Sequence, residues 1–562
     1  IAIARSRGDA PADRDGERKT WAAQVESPQL ADMPALPGRR QAMQLMAASL
    51  ALAGGACTQV PRDRIYPYVN MPEAGTSGLP IYYASAFVRD GYAHGVLVGT
   101  REGRPIKIEG NALHPASLGA TDPFAQASVL QLWDPDRSAS VAQRLGGAPE
   151  GQSDPAAPPA PLASSDWSAF DSAWRQRDPR LRADGGARLR VLTGSFTSPS
   201  LQAQLARLFD RYPRARWHRH DPLRDDAADD GARLAFGQPV QPVRHFARAG
   251  FVLALDADPF SQGPASVRQA MDWSSRRAAA RDDPSPATLP QLVAVETTPG
   301  LFGARADERL ALPPSRIEAL TWGIASRLFA DIASPATPAD AAAAAVETRW
   351  AEQLRRHARE SLVIAGPNLS PATHALVHLL NQRLGAYGHT VDGIAPPDSP
   401  QALGSPGSLA ELTQAMTDGT VDTLLILGGN PAYDAPADLP FAAALTRLPF
   451  SAHLSLYRDE TSQRCAWHLP ETHVYEQWSD ALAFDGSAAL IQPAIAPLYD
   501  TRSVHQLLAM ILGEDERNDH AMLRAQWRAG RPAGDFDGFW SKSLRSGVVA
   551  GSAPAPSSLP AV

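Results

Sequence analysis

Cysteine and lysine are nearly absent from this chain of 562 residues. Its two cysteines, Cys57 and Cys465, build no disulfide framework and no all-cysteine metal site. An iron–sulfur cluster ordinarily takes four thiolates, so a cluster held by this chain alone is not expected. Lysine stands only at Lys19, Lys107 and Lys542 among 53 basic residues. With alanine abundant and the arginines unclustered in sequence, this bias reads as the mark of a GC-rich genome, not of phosphate recognition. The net charge of −7 leaves no electrostatic footprint for nucleic acid. Spacings of the G-x-G-x-x-G, P-loop, G-x-S-x-G and H-E-x-x-H kinds are missing too, which removes the usual nucleotide and hydrolase readings.

What remains is the composition of a folded, soluble chain, 44% hydrophobic and 20% charged. Its length implies several domains. Residues 1–38 are polar and rich in Arg, Asp and Pro, and are followed by Arg39-Arg40 and a mildly apolar stretch that closes on Gly-Gly-Ala-Cys57. That is the twin-arginine export pattern, and the stretch is short of the ~20 apolar residues that a spanning helix needs. Cys57 is a candidate for lipidation, although Gly54 stands where such sites usually carry leucine.

Beyond the leader (1–60), a small β-rich module is expected over 61–140. Strand-like runs occupy Leu79 to Phe87, Gly95 to Gly99 and Pro105 to Ile108, with a hairpin turn at Arg101 to Arg104. Phe124, Ala127, Leu130 and Trp133 then recur at helical spacing. A Pro/Gly/Ala-rich linker region is expected over 141–187. Strands and helices alternate after it: Arg188 to Thr193, a capped helix from Ser198 to Tyr212, Phe251 to Leu255, Leu292 to Glu296, an alanine-rich helix from Ala339 to Ser361, Leu362 to Gly366, a helix near Ser370, and Thr423 to Leu427. The pattern predicts an α/β fold with two doubly wound parallel-sheet domains, over 188–360 and 361–545, and a disordered tail over 546–562.

Three groups could carry chemistry, and each has a plainer structural reading. Gly428-Gly429-Asn430-Pro431 follows a strand, where α/β proteins bind ligands, but glycines also make tight strand exits. His218 and His220 beside Trp217 alternate as on a solvated surface strand, with no carboxylate at ligand spacing. Asp256 and Asp258 end a strand, where acids catalyse but more often cap turns and helices.

Residues 61–138, above all Ile108-Glu-Gly-Asn-Ala-Leu-His-Pro-Ala-Ser-Leu-Gly-Ala-Thr-Asp122 and Trp133-Asp-Pro-Asp-Arg137, resemble the amino-terminal domain of molybdopterin oxidoreductases. They are similar, more narrowly, to the molybdopterin-oxidoreductase-like half of the large iron–sulfur subunit of alternative complex III. Thr193-Gly-Ser-Phe-Thr-Ser-Pro199, Gly303 to Leu310, Leu427 to Asp434 and Ile491 to Tyr499 extend the resemblance. In register with catalytic members, His94 and Asp122 stand where cluster cysteines are expected. The resemblance therefore implies a scaffold subunit that binds no cofactor, with no catalytic or metal residues of its own. It would dock an iron–sulfur (ferredoxin-like) subunit, a multihaem cytochrome c and an integral-membrane quinol-binding subunit on the periplasmic side of the inner membrane. Two alternatives stay open: a molybdopterin enzyme that relies on external clusters, and an exported protein that binds a small anion.

Overall fold

The computed structural model describes residues 79–145, 161–223, 226–282, 289–334, 341–399, 401–531 and 534–562. Arg39, Arg40 and Cys57 lie outside the described residues. The β-rich module forms as expected, as an antiparallel sheet of Ile81–Arg89, Tyr92–Arg101 and Arg104–Gly110. Its inner face, Val96, Val98 and Ile108, packs on Ala125 and Val129 of the helix Pro123–Leu132. That helix lies where its spacing put it but turns a different face inward. Phe124 is 61% and Leu130 71% exposed, whereas Ala125, Ser128, Val129 and Leu132 are buried. Small side chains let the helix lie close to the sheet, and the Arg89 guanidinium covers the Phe124 ring 4.2 Å from its centroid.

Two larger sheets organise the remainder. A four-stranded parallel sheet runs Glu308–Ala311, Gln291–Glu296, Phe251–Leu255, Ser361–Ala365. Its strands Phe251–Leu255 and Ser361–Ala365 are almost wholly apolar because both faces are covered, whereas the edge strand Glu308–Ala311 is half exposed and carries Glu308 and Arg309. One face packs on the helices Pro314–Leu328, Ala341–Arg356 and Pro371–Arg383 through Ile317, Trp350 and Val377, and the other on Phe246, Trp273 and Phe302. A seven-stranded sheet runs Leu162–Ser164, Ala142–Arg144, Trp467–Pro470, Phe450–Ser455, Thr423–Leu427, Leu189–Thr193, Arg216–Arg219. Its five last strands are parallel, and the first two form an antiparallel edge. Phe170, Trp174, Leu205 and Leu508 cover one face; Leu412, Phe441 and the buried Cys465 cover the other.

Three expectations about organisation are corrected. The sheets do not divide at 360/361: Leu189–Thr193 pairs with Thr423–Leu427, and Ser361–Ala365 pairs with Phe251–Leu255. The apolar strands find their neighbours by burial on both faces, not by chain order. The expected linker holds a helix, Trp167–Ala183, capped by Asp166, with Trp167, Phe170 and Trp174 in the core. Its aromatics outweigh the polar composition around it. The tail is docked: Ser557 N–H donates to Gly393 O (2.7 Å), Gln382 Nε2 to Pro560 O (2.8 Å), and Leu559 packs beside Phe236 and Val240.

Candidate functional site

His94 and Asp122 come close to each other in the amino-terminal module. His94 sits on the strand Tyr92–Arg101, paired with Phe87 and 7% exposed. Burial lowers its pKa below the ordinary histidine value, and Asp122, Arg89 and Asp90 are near enough to act on its charge. Asp122 has structural work of its own. Its Oδ1 accepts from Ala125 N (2.7 Å) as the N-cap of Pro123–Leu132, and its Oδ2 accepts from Arg89 Nη1 (2.8 Å). The second histidine nearby, His114, is wholly buried and its pKa is lowered to about 4, mainly by desolvation. One guanidinium, that of Arg89, thus shares this ground with two imidazoles and with the carboxylates of Asp122 and Asp90. Cys465, the one cysteine among the described residues, is fully buried in the seven-stranded sheet's core, and burial pushes its thiol up to about 12. These residues do not fit an iron–sulfur cluster: among the described residues no cysteine stands near His94 or Asp122, and the two cysteines of the whole chain are short of the four thiolates a cluster takes.

The carboxyl-terminal edge of the seven-stranded sheet is where a ligand of an α/β fold would sit. Its polar groups are largely committed to one another. Asp221 accepts from Ser195 N (2.8 Å) and Ser195 Oγ (2.6 Å). The Asn430 side chain accepts from Thr461 N and Oγ1 and donates to Glu460 (2.7 Å). Gly428 and Gly429 take φ of +78° and +73°, a conformation that glycine alone adopts without strain, so their role is a strand-exit turn. Below them runs a buried chain: Gly429 O to His453 Nε2 (3.0 Å), His453 Nδ1 to Ser462 Oγ (2.9 Å), Ser462 Oγ to His468 Nδ1 (2.8 Å), and His468 Nε2 to Ser138 Oγ (2.7 Å). Desolvation lowers the His468 pKa to about 3, so the ring is neutral and serves the network as donor and acceptor at once.

The remaining candidates resolve into structure. His218, expected on a solvated strand, is 3% exposed; Nδ1 meets Ser408 O (3.0 Å). His220 Nε2 meets Asp434 Oδ1 at 3.0 Å. Among the described residues no group of three His, Cys, Asp or Glu side chains is placed to hold a metal. Asp258 accepts from Leu301 N (2.7 Å) and Phe302 N (3.1 Å), and Asp256 from Thr297 N (2.9 Å) and Asn368 Nδ2 (2.9 Å), which is the capping role.

Residues that sequence reasoning passed over hold the motifs together. Arg137 and Glu476 form a two-pronged ion pair with side chains 1% and 0% exposed, through Nη1–Oε1 (3.2 Å) and Nη2–Oε2 (2.6 Å). Glu476 also accepts from His473 N and Leu498 N, so the pair ties the amino-terminal module to the 473–498 segment. Asp480 accepts from Ser198 Oγ, Ser200 Oγ (2.6 Å) and Trp527 Nε1 (2.9 Å) at the start of the helix Pro199–Arg211. Thr197 Oγ1 donates to Gly91 O (2.7 Å). The Thr193–Pro199 and Trp133–Arg137 motifs are thus hubs of assembly, a signal visible only once their distant partners are known.

No protein-family model matches the chain. It is 22% identical over 467 residues to the menaquinone reductase, molybdopterin-binding-like subunit, of Nitratidesulfovibrio vulgaris (strain Hildenborough), across 75% of this chain and 63% of that protein. The chain thus spans less than two thirds of that relative's length. Its fold is similar to that of acetylene hydratase from Pelobacter acetylenicus, with a TM-score of 0.62 at 13% identity, across 85% of this chain and 74% of that structure. A small antiparallel module and two sheets of interleaved parallel strands, shared with that enzyme across most of its length, make this chain a molybdopterin-oxidoreductase-like protein in fold.

Proposed function

We propose that the chain is a scaffold subunit of a membrane-associated respiratory complex that exchanges electrons with quinol, of the alternative complex III kind, and that it binds neither an iron–sulfur cluster nor a pterin. The observation that carries this reading is the Arg89–Asp122 ion pair beside His94, on the ground where the resemblance expects cluster thiolates. The relative named as a molybdopterin-binding-like subunit of a menaquinone reductase supports it, as does a carboxyl edge whose polar groups are paired among themselves. In this reading electrons pass through an iron–sulfur subunit and a multihaem cytochrome c, and an integral-membrane subunit binds quinol. The chain fixes their spacing on the periplasmic side after twin-arginine export directed by Arg39 and Arg40, with or without a lipid on Cys57. Among the described residues no helix is long and apolar enough to cross a membrane.

The test is metal analysis of the complex purified from native membranes, with a fluorescence assay for released pterin and identification of co-purifying chains. Haem- and iron–sulfur-bearing partners with this chain free of molybdenum and tungsten are expected. Stoichiometric molybdenum or tungsten in this chain would replace the reading with that of a molybdopterin enzyme fed by external clusters.

A further inference from the structure

The amino-terminal edge of the seven-stranded sheet, opposite the edge where ligands of such folds bind, holds a cavity of about 530 Å³. That is within the range of small-molecule sites. It opens between the helix Trp167–Ala183 and the starts of the strands Thr423–Leu427, Phe450–Ser455 and Trp467–Pro470. Three guanidiniums line it, those of Arg144, Arg177 and Arg180, against one carboxylate, Asp422. That carboxylate is already held by Arg188 Nε at 2.9 Å, and Arg180 Nη2 reaches it only at 3.3 Å. The charge facing the cavity is therefore uncompensated.

The donors are also underused. Arg177 lies over the Phe450 ring, 4.7 Å from its centroid, which fixes the plane of its fork. Its bonds to Thr423 Oγ1 and Asp422 O are both 3.3 Å, at the long end for N–H···O. Arg144 donates through Nη2 to Gln463 O (3.0 Å), while its Nε is buried with no acceptor. A buried N–H without a partner costs about 1–3 kcal/mol until something accepts from it. Desolvation lowers the pKa of both Arg144 and Arg177, so a negative charge brought to this place would be met by two poorly solvated cations.

We propose that this cavity is a binding site for a small, multiply charged phosphate-type anion, gripped by the forks of Arg144, Arg177 and Arg180 above the Phe450 ring. Three forks suit a group with several tetrahedrally placed oxygens better than a lone carboxylate, which one arginine satisfies. The same chemistry is offered by a soluble pyrophosphate ester and by a phospholipid whose headgroup is a phosphomonoester.

Calorimetric titration and thermal shift of the full chain with inorganic pyrophosphate, at constant ionic strength, test the site, and co-sedimentation with vesicles containing phosphatidic acid distinguishes the sources. Saturable binding below about 1 mM, weakened about tenfold or more in both Arg144→Gln and Arg180→Gln, is expected. Arg180 has a side chain that is 73% exposed, so Arg180→Gln keeps the fold even if Arg144→Gln does not. Pyrophosphate binding lost in the variants assigns a soluble ligand. Vesicle binding lost in the variants, without pyrophosphate binding, assigns a headgroup. Binding of neither, or binding equal in wild type and Arg180→Gln, overturns the proposal.

Discussion

The two edges of the seven-stranded sheet are built in opposite ways. At the carboxyl edge, hydroxyls, imidazoles and carboxylates from loops far apart in sequence bond to one another, and the Arg137–Glu476 pair lies just beyond with almost no exposure. At the amino edge, arginines face a cavity with less counter-charge than they carry. A shared fold keeps both edges, but the place where this architecture ordinarily does chemistry is here closed by internal polar bonds. The unbalanced charge lies instead at the edge opposite the one where ligands of α/β sheets bind.

Breaking the closed edge is expected to have the largest effect. Arg137→Met leaves Glu476 buried without a counter-ion and should cost about 3–5 kcal/mol. A large drop in melting temperature should follow, and should be regained in part by the paired Arg137→Met/Glu476→Leu exchange. If Arg137→Met melts like wild type, the ion pair does not hold the module to the 473–498 segment.

Acid should act next. Nine histidines have pKa values lowered by burial, including His114 at about 4 and His378, His468 and His473 at about 3. A lowered folded pKa means stability that is present above the unfolded histidine value and lost as pH falls toward the folded one. Glu471 and Asp519, pushed up to about 7 by burial, act in the opposite sense, gaining stability as pH falls through 7. The histidines outnumber them, so the melting temperature should fall between about pH 6.5 and about pH 4, each unbalanced proton contributing about 1.4 kcal/mol per pH unit. A flat profile across that range would show that the carboxyls cancel the imidazoles.

A smaller loss is expected from Ser462→Ala, which strips a shared hydroxyl from His453 and His468 and should cost about 1–3 kcal/mol in chemical denaturation. The smallest effect belongs to the open edge. Without ligand, Arg180→Gln should change stability by no more than about 0.5 kcal/mol, since the Arg180 side chain is solvent-exposed and Asp422 keeps its shorter bond to Arg188. A larger loss would mean that Arg180 is structural and that the edges differ less than their contacts indicate.

Legibility in the sequence followed the range of the forces involved. Strands such as Phe251–Leu255 and Thr423–Leu427 are apolar runs, and the caps Ser198 and Ser370 announce their helices locally, so these elements were readable. The inner face of Pro123–Leu132 was not, because close approach to the sheet selected Ala125 and Ser128 over the bulkier Phe124 and Leu130. Trp167–Ala183 was hidden by the proline-rich residues before it. His94 and Asp122 could be singled out by register, but the engagement of Asp122 by Arg89, 33 residues away, could not. Arg177 and Arg180 stand in an arginine-rich run over 175–190 that composition made look like genomic bias, and only the sheet edge brings Arg144 to them.

His218, on the last strand Arg216–Arg219 of the seven-stranded sheet, forms an isolated parallel bridge with Gly407. Arg219 N donates to Gly407 O (3.1 Å) and Gly407 N to Trp217 O (2.9 Å), so the path out of the last strand of one sheet and the path back into it are stitched side by side. The four-stranded sheet lies wholly between those two stitches in sequence. If that inner portion orders first during synthesis, it brings the stitches together in advance and shortens the loop that Leu189–Thr193 must close to reach Thr423–Leu427. The insert then acts as a clasp, and unfolding that begins inside it would release the outer sheet's longest-range pairing.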